Sequence, residues 1–307
     1  MTHRNNPGKR SVKPDIPLAK ETLKIARDEL KGAKALYDTG IYPMAVFSLQ
    51  QSMEKGWKSF GFYYGIINEE DARSKDIGHK GSRVCNKSIR LLQRIVSRIR
   101  SNIQRMRNFY HIRFSEQESK GDILINLESN IAQLSTELTN FANDERKYRN
   151  LSSEEMNKTI QELTLILKAF EETEKILNSP NFSEEHYEKI KEGAFEIGQS
   201  IFRGLPQAED ALKKICFESL TNEKIKKIID NTIKGVAVIT PLLCLAVLTQ
   251  AHEQSTRYIF DGQSPNQIYT ASHPLIQKFP EILQIAEKTL ENLESFYETL
   301  PSGGSHP

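Results

Sequence analysis

Cysteine is scarce in this chain of 307 residues: Cys85, Cys216 and Cys244 are the only three, far apart and without the close pairing a zinc site uses. An odd, scattered set excludes a disulfide framework and predicts free thiols in a reducing compartment. Glycine and proline are also few, 16 and 12, and they gather near the ends of periodic segments. That distribution disfavours a strand-and-turn fold, and no stretch alternates with period two long enough to make a strand. The chain lacks a phosphate-binding glycine loop, a dinucleotide fingerprint, a nucleophile elbow, a metalloprotease HExxH and an EF-hand loop, which removes those enzyme classes. The first fifteen residues carry charge with no apolar run behind them, so they do not form a secretory signal. The most apolar stretch, Val236 to Leu248, is too short to span a bilayer and contains Pro241. A soluble, cytoplasmic protein is expected, with no membrane partner, no metal site and no cofactor.

What the chain has instead is sorted charge. The formal net charge is only +2, but no Asp or Glu occurs from Ile77 through Ser115. That segment holds ten cations: Lys80, Arg83, Lys87, Arg90, Arg94, Arg98, Arg100, Arg105, Arg107 and Arg113. The remainder of the chain is therefore at −8, much of it between Glu116 and Glu196. Such a block suits a polyanion, or else the acidic segment that follows it.

Helical periodicity is nearly continuous between a basic tail, 1–14, and a flexible tail, 300–307. Leu18, Leu23, Ala26, Leu30, Ala33 and Tyr37 predict a helix from about Ile16 to Asp38, ended by Gly40. Val46, Leu49, Met53, Trp57 and Phe60 predict a second over about 42–62, antiparallel to the first because the connection is short. A basic helix is expected over 82–110. Leu124, Leu127, Ile131, Leu134, Leu138 and Phe141 then face Met156, Ile160, Leu163, Leu167, Phe170 and Leu177, a period near that of a two-helix seam. This predicts a coiled-coil-like hairpin over 121–178, with a dimer seam as the alternative. Shorter helices are expected over 184–233, an apolar helix through Val236 to Tyr258, and a last amphipathic helix from about Pro274 to Tyr297. The fold class is all-α.

At the second helix, Gln50-Gln51, Glu54-Lys55 and Lys58 follow a run of small and apolar residues. This text resembles the second helix of HEPN-domain proteins, and Ala33 to Tyr42 is similar to the way that family ends its first helix. His252 to Tyr258 and then Gln284 to Leu293 resemble the family's closing helices. The turn at Asp76 to Lys80 is similar to that of the AbiV abortive-infection group. The resemblance lies in residues about 16–80 and 235–299. It implies an up-down helical bundle assembled from both ends of the chain, with 81–234 as a long helical insertion. It also implies a family that commonly dimerises and often binds or cuts RNA, here in a defence or toxin–antitoxin setting. The alternative is a non-enzymatic interaction or scaffold module with a protein partner.

Arg83, Lys87, Arg90, Arg94, Arg98 and Arg105 fall on one face of the basic helix, with Leu92, Ile95, Ile99, Met106 and Tyr110 on much of the other. At about 1.5 Å per residue the row extends roughly 30 Å, a surface that RNA or another polyanion engages through counterion release. Arg107 adds to it. Five residues separate Arg105 from His111, inside the Arg-to-His interval that the resemblance implies for the family's ribonucleases. Met106 stands where those enzymes carry a polar residue, while Arg107-Asn108 has the polar neighbour but too short an interval. Chemically, His111 suits proton transfer, Arg105 suits phosphorane charge and Asn108 suits orientation of either group. His79 and Lys80 at the start of the basic helix are further candidates, against a capping or loop role. Arg257 is another, against a role bonding helix C-terminal carbonyls.

Overall fold

In a computed structural model the described residues are 12–74, 77–78, 82–109, 129–133, 136, 140, 145–179, 182–203, 205 and 207–299. They form α1 (Ile16–Asp38), α2 (Tyr42–Tyr63), α3 (Glu69–Arg73), α4 (Ser82–Phe109), α5 (Glu145–Arg149), α6 (Ser153–Leu177), α7 (Glu184–Ile201), α8 (Ala208–Lys213), α9 (Asn222–Gln250), α10 (Pro265–Ile268), α11 (Pro274–Gln277) and α12 (Phe279–Thr299). Among the described residues the only β pairing is an isolated bridge between Phe260 and Gln263. The all-α expectation holds.

The chain divides into two compact units. One comprises Met1–Ser88, Asp144–Leu163 and Val238–Glu298, so it draws on both ends of the sequence. Its frame is the α1–α2 pair. Asp15 caps α1 by accepting from the Leu18 amide at 3.0 Å. Serines on α2 donate to α1 carbonyls in falling order: Ser48 to Glu29 at 2.9 Å, Ser52 to Ala26 and Ser59 to Ala19, both at 2.7 Å. The order is that of antiparallel helices, and the small side chains let the backbones approach closely. Trp57 is fully buried and donates its Nε1–H to the Leu242 carbonyl at 3.1 Å. A Cβ at Gly56 would meet both Leu242 and Leu290 at 3.1 Å. Tyr63 stacks on Tyr297 with centroids 4.1 Å apart, and Tyr37 stacks on Phe279 at 5.1 Å. The second helix thus sits between the first and the closing ones.

The other unit comprises Ile89–Asn143, Thr164–Ala237 and Thr299–Pro307. In it Gly198 of α7 lies so close to Leu212 of α8 that an added Cβ would be 2.5 Å from a Leu212 methyl. Phe195 and Phe217 pack at 5.5 Å, Asn222 donates to Glu184 at 2.7 Å, and Lys234 lies 2.9 Å from Asp230.

Several expectations need correction. The helices read as ending at Ile233 and starting at Val236 are one 29-residue helix, α9, which runs through Gly235 and Pro241. It is therefore long and apolar enough to cross a membrane by length and composition, with 61% of its apolar window buried in the fold. The Leu242 carbonyl, next to the proline, receives Trp57. The same helix stops at Gln250 rather than Tyr258, because the chain tightens into turns such as His252 N–H to Thr249 O at 3.1 Å. Among the shorter helices expected over 184–233, α8 passes into a π-helical turn, Lys214–Ser219. The last helix is broken at Lys278 into α11 and α12. Residues 12–14, read as tail, are in place: the Val12 carbonyl lies over Gly65. Residues 144–163, read as part of the hairpin insertion, group with the two chain ends, and Met156, Ile160 and Leu163 on α6 are buried. Most of the first hairpin arm, 121–142, lies outside the described residues.

Candidate nucleic-acid interface and a buried histidine cluster

Helix α4 reads Arg/Lys at the spacing expected of one face, and the structure leaves that face open. Arg83, Arg90, Arg94, Arg98 and Arg105 are all exposed. Among the described residues Arg90, Arg94, Arg98 and Arg105 pair with no carboxylate. Asn108 continues the same face and accepts from the Gln104 amide at 3.1 Å. From Arg83 to Arg105 the row runs about 33 Å. Its start is anchored: Lys87 pairs with Asp71 at 2.7 Å, and Asp71 itself closes a capping box with Asn68 at the start of α3. Lys87 is thus held by the protein's own carboxylate, while Arg90, Arg94, Arg98 and Arg105 pair with none among the described residues.

The inner face of α4 differs from expectation. Val84, Val96 and Ile103 are buried, whereas Ile95 and Ile99, read as lying on much of the face opposite the cations, are 49% and 44% exposed. The helix is rotated so that β-branched Val96 faces inward, and Leu91, Ile95 and Ile99 form an outward apolar stripe beside the arginines. The side chains of Leu92, Met106 and Arg107 lie outside the described set, as do residues His79, Lys80, Tyr110 and His111. Of the Arg105, Asn108 and His111 set, the structure shows two on one exposed face.

Arg257 does not bond the end of α9. Its guanidinium pairs with Glu253 at 2.9 Å and lies over the rings of Phe47 and Tyr258, 5.1 and 5.2 Å from their centroids.

His273 is part of a second, buried cluster. In the fold it stands 5.8 Å from His252 and 5.0 Å from Tyr269, ring to ring. His252 is 1% exposed, its Nδ1 lies 2.7 Å from the Tyr269 hydroxyl, and that hydroxyl lies 2.7 Å from Ser255 Oγ. Its Nε2 has no hydrogen-bond partner of normal geometry, although the Tyr148 backbone acts on the ring so as to favour protonation. Burial prevails, with His273 and Arg149 adding to it, and the imidazole pKa falls to about 3. A ring held neutral in this way is a poor proton shuttle near neutrality and a good packing element. Burial also raises the Tyr269 hydroxyl to about 12 and lowers His273. Arg149 of α5 donates Nε–H to the Ala251 carbonyl at 3.0 Å and lies 4.2 Å over Phe260. No local pattern announces this cluster, since its members are spread from 148 to 273.

The residues that carry the family resemblance also converge. Lys55 reaches Glu29 at 3.0 Å and Gln51 at 3.2 Å, Gln51 donates to Gln50 at 2.7 Å, and Lys58 pairs with the buried Glu54 at 2.7 Å. They form one hydrogen-bonded ladder across α1 and α2, with a structural role. Among the described residues no group of three or more His, Cys, Asp or Glu could hold a metal ion. Burial raises the Cys244 thiol to about 11, which disfavours the thiolate.

The HEPN domain family model matches residues 19–215, about two-thirds of the chain, and the chain belongs to that family. The match begins in α1 and runs on through α4, α6 and α7, so the segment read as an insertion lies largely inside it. Membership carries a helical fold and a general link to ribonuclease or nucleotide-related functions. No curated protein and no solved structure matches the chain.

Proposed function

We propose that the chain binds RNA through the arginine-bearing face of α4. The observation that carries this reading is the exposed row Arg90, Arg94, Arg98 and Arg105, which no carboxylate among the described residues neutralises. A row of that length faces several successive phosphates, and affinity then comes from counterion release rather than from base reading. Arg83 and Arg107 are proposed to contribute to the same binding. Family members often dimerise and bind RNA. The reading takes this chain to be a cytoplasmic homodimer in a defence or toxin–antitoxin setting.

Charge reversal at Arg90, Arg94 and Arg98 is the test. Losing three phosphate contacts lowers the slope of log affinity against log salt by about 2 on single strands, with affinity falling on every RNA tried. An unchanged affinity and slope removes α4 as the binding surface. A sharp loss of stability in the same variant identifies the acidic segment as its partner and favours the scaffold alternative.

The catalytic form of the reading adds metal-independent cleavage. Arg105 stabilises phosphorane charge, His111 moves a proton, and Asn108 orients one of them. His111→Ala then abolishes cleavage with binding nearly intact, because a proton-transfer group acts mainly in the transition state. Cleavage unchanged in that variant leaves a binding protein without this active site.

A further inference from the structure

Nothing in the α4 row distinguishes a paired from an unpaired strand, since phosphates are present on both. A second surface, in the unit built from both chain ends, supplies what the row lacks. Asp261 and Gly262 take φ of +49° and +79°, and Phe260 and Gln263 bond to each other both ways at 2.9 and 3.0 Å. This is a primed two-residue turn, which Asp-Gly enters at little steric cost and which holds its flanks rigidly. On its leading side Tyr258 is 60% and Ile259 74% exposed. Two guanidiniums brace it: Arg257 against Tyr258 and Phe47, and Arg149 against Phe260. Glu253 orients Arg257 at 2.9 Å, and Arg149 Nε is held by the Ala251 carbonyl at 3.0 Å.

A rigid, exposed aromatic ring beside a stacked arginine is a surface on which an unpaired base lies flat, whatever its identity. A base inside a duplex offers no free face to it. We propose that the turn at Tyr258 is a stacking platform for an unpaired RNA base, so that the preferred ligand is single-stranded; this rests on the RNA-binding reading above. Glu253 and Asp261 offset Arg257 and Arg149 in charge, so the platform contributes stacking and little salt dependence, the reverse of α4.

The test compares full-length wild type, Tyr258→Ala and Tyr258→Phe on a short RNA carrying 2-aminopurine, single-stranded and annealed to its complement. Tyr258→Ala is expected to weaken single-strand binding on the order of 5- to 100-fold, with duplex affinity and the salt slope unchanged. Tyr258→Phe keeps a ring and restores the affinity. Quenching of the 2-aminopurine accompanies binding to wild type and Tyr258→Phe but not to Tyr258→Ala, and matching thermal melts show that all three variants are folded. Equal loss on both forms of RNA, or no loss on the single strand, overturns the platform. If the α4 triple variant loses its salt-dependent affinity while Tyr258→Ala changes nothing, the platform fails and the α4 reading stands. If only Tyr258→Ala matters, the α4 reading fails and the platform stands. A wild type that binds neither form overturns both.

Discussion

Helices α2 and α4 are both long and both rich in polar side chains, yet the fold treats them in opposite ways. On α2 nearly every residue is buried or half-buried, and its Gln, Glu, Lys and Ser side chains are tied to α1 or to one another. On α4 Arg90, Arg94, Arg98 and Arg105 stand in solvent. Burying a charge is tolerable only when it is paired and hydrogen-bonded, which α2 achieves by alternating acids, amides and lysines. A helix whose charges are all of one sign cannot do so from its own sequence. Its arginines either find carboxylates elsewhere or remain available to a ligand. The difference separates polar residues that hold the fold from those free to act.

Substitution at Trp57 should break this comparison most severely. Trp57→Ala removes a fully buried ring and its bond to the Leu242 carbonyl, and is expected to cost about 3–5 kcal/mol in denaturant unfolding. A loss under about 1 kcal/mol means that α2 is not the axis of its unit.

His252 supplies the next largest effect, and it depends on pH. The ring takes up a proton near pH 6.5 in the unfolded chain and only near 3 in the folded one. Its contribution to stability is therefore complete above about pH 6.5 and is lost as pH falls toward the folded value. The loss is about 1.4 kcal/mol per pH unit, or about 2 kcal/mol at pH 5. His273, shifted the same way, adds to it. Unfolding measured from pH 7 to 5 should show this slope, and His252→Gln should flatten it. An equal slope in the variant assigns the acid sensitivity elsewhere.

The smallest effect sharpens the contrast. Replacing Arg90, Arg94 and Arg98 by Gln should change unfolding free energy by about 1 kcal/mol or less, as for other exposed sites. A cost near that of Trp57→Ala would place α4 with α2 among the structural helices.

The sequence was read well where one periodic face and a terminator coincide. α1 runs from Ile16 to Asp38, as expected, and α6 ends at Leu177, the last residue of the expected seam, because an apolar stripe meets Asp15, Thr39-Gly40 or a polar break at these ends. It was misread where composition changes without a backbone break. α9 passes from a lysine-rich first half into an apolar second half, and neither Gly235 nor Pro241 stops it. On α4 the apolar residues occupy too wide an arc for spacing to choose between Ile95 and Val96, and only contact with the rest of the fold chose Val96.

The amino-acid sequence by itself determined that this protein is helical, that its family signature lies on α2, and that ten cations sit in one acid-free segment. These are local properties of period, residue type and order. Only the tertiary structure decided that Trp57 meets Leu242 across 185 positions, and that His252, Tyr269 and Ser255 share one buried chain of hydrogen bonds. It alone decided that Lys87 is paired while Arg94 is not, and that Tyr258 stands outside with an arginine against it. Burial and partnership depend on which distant segments the packed helices bring together, and no local spacing carries that information.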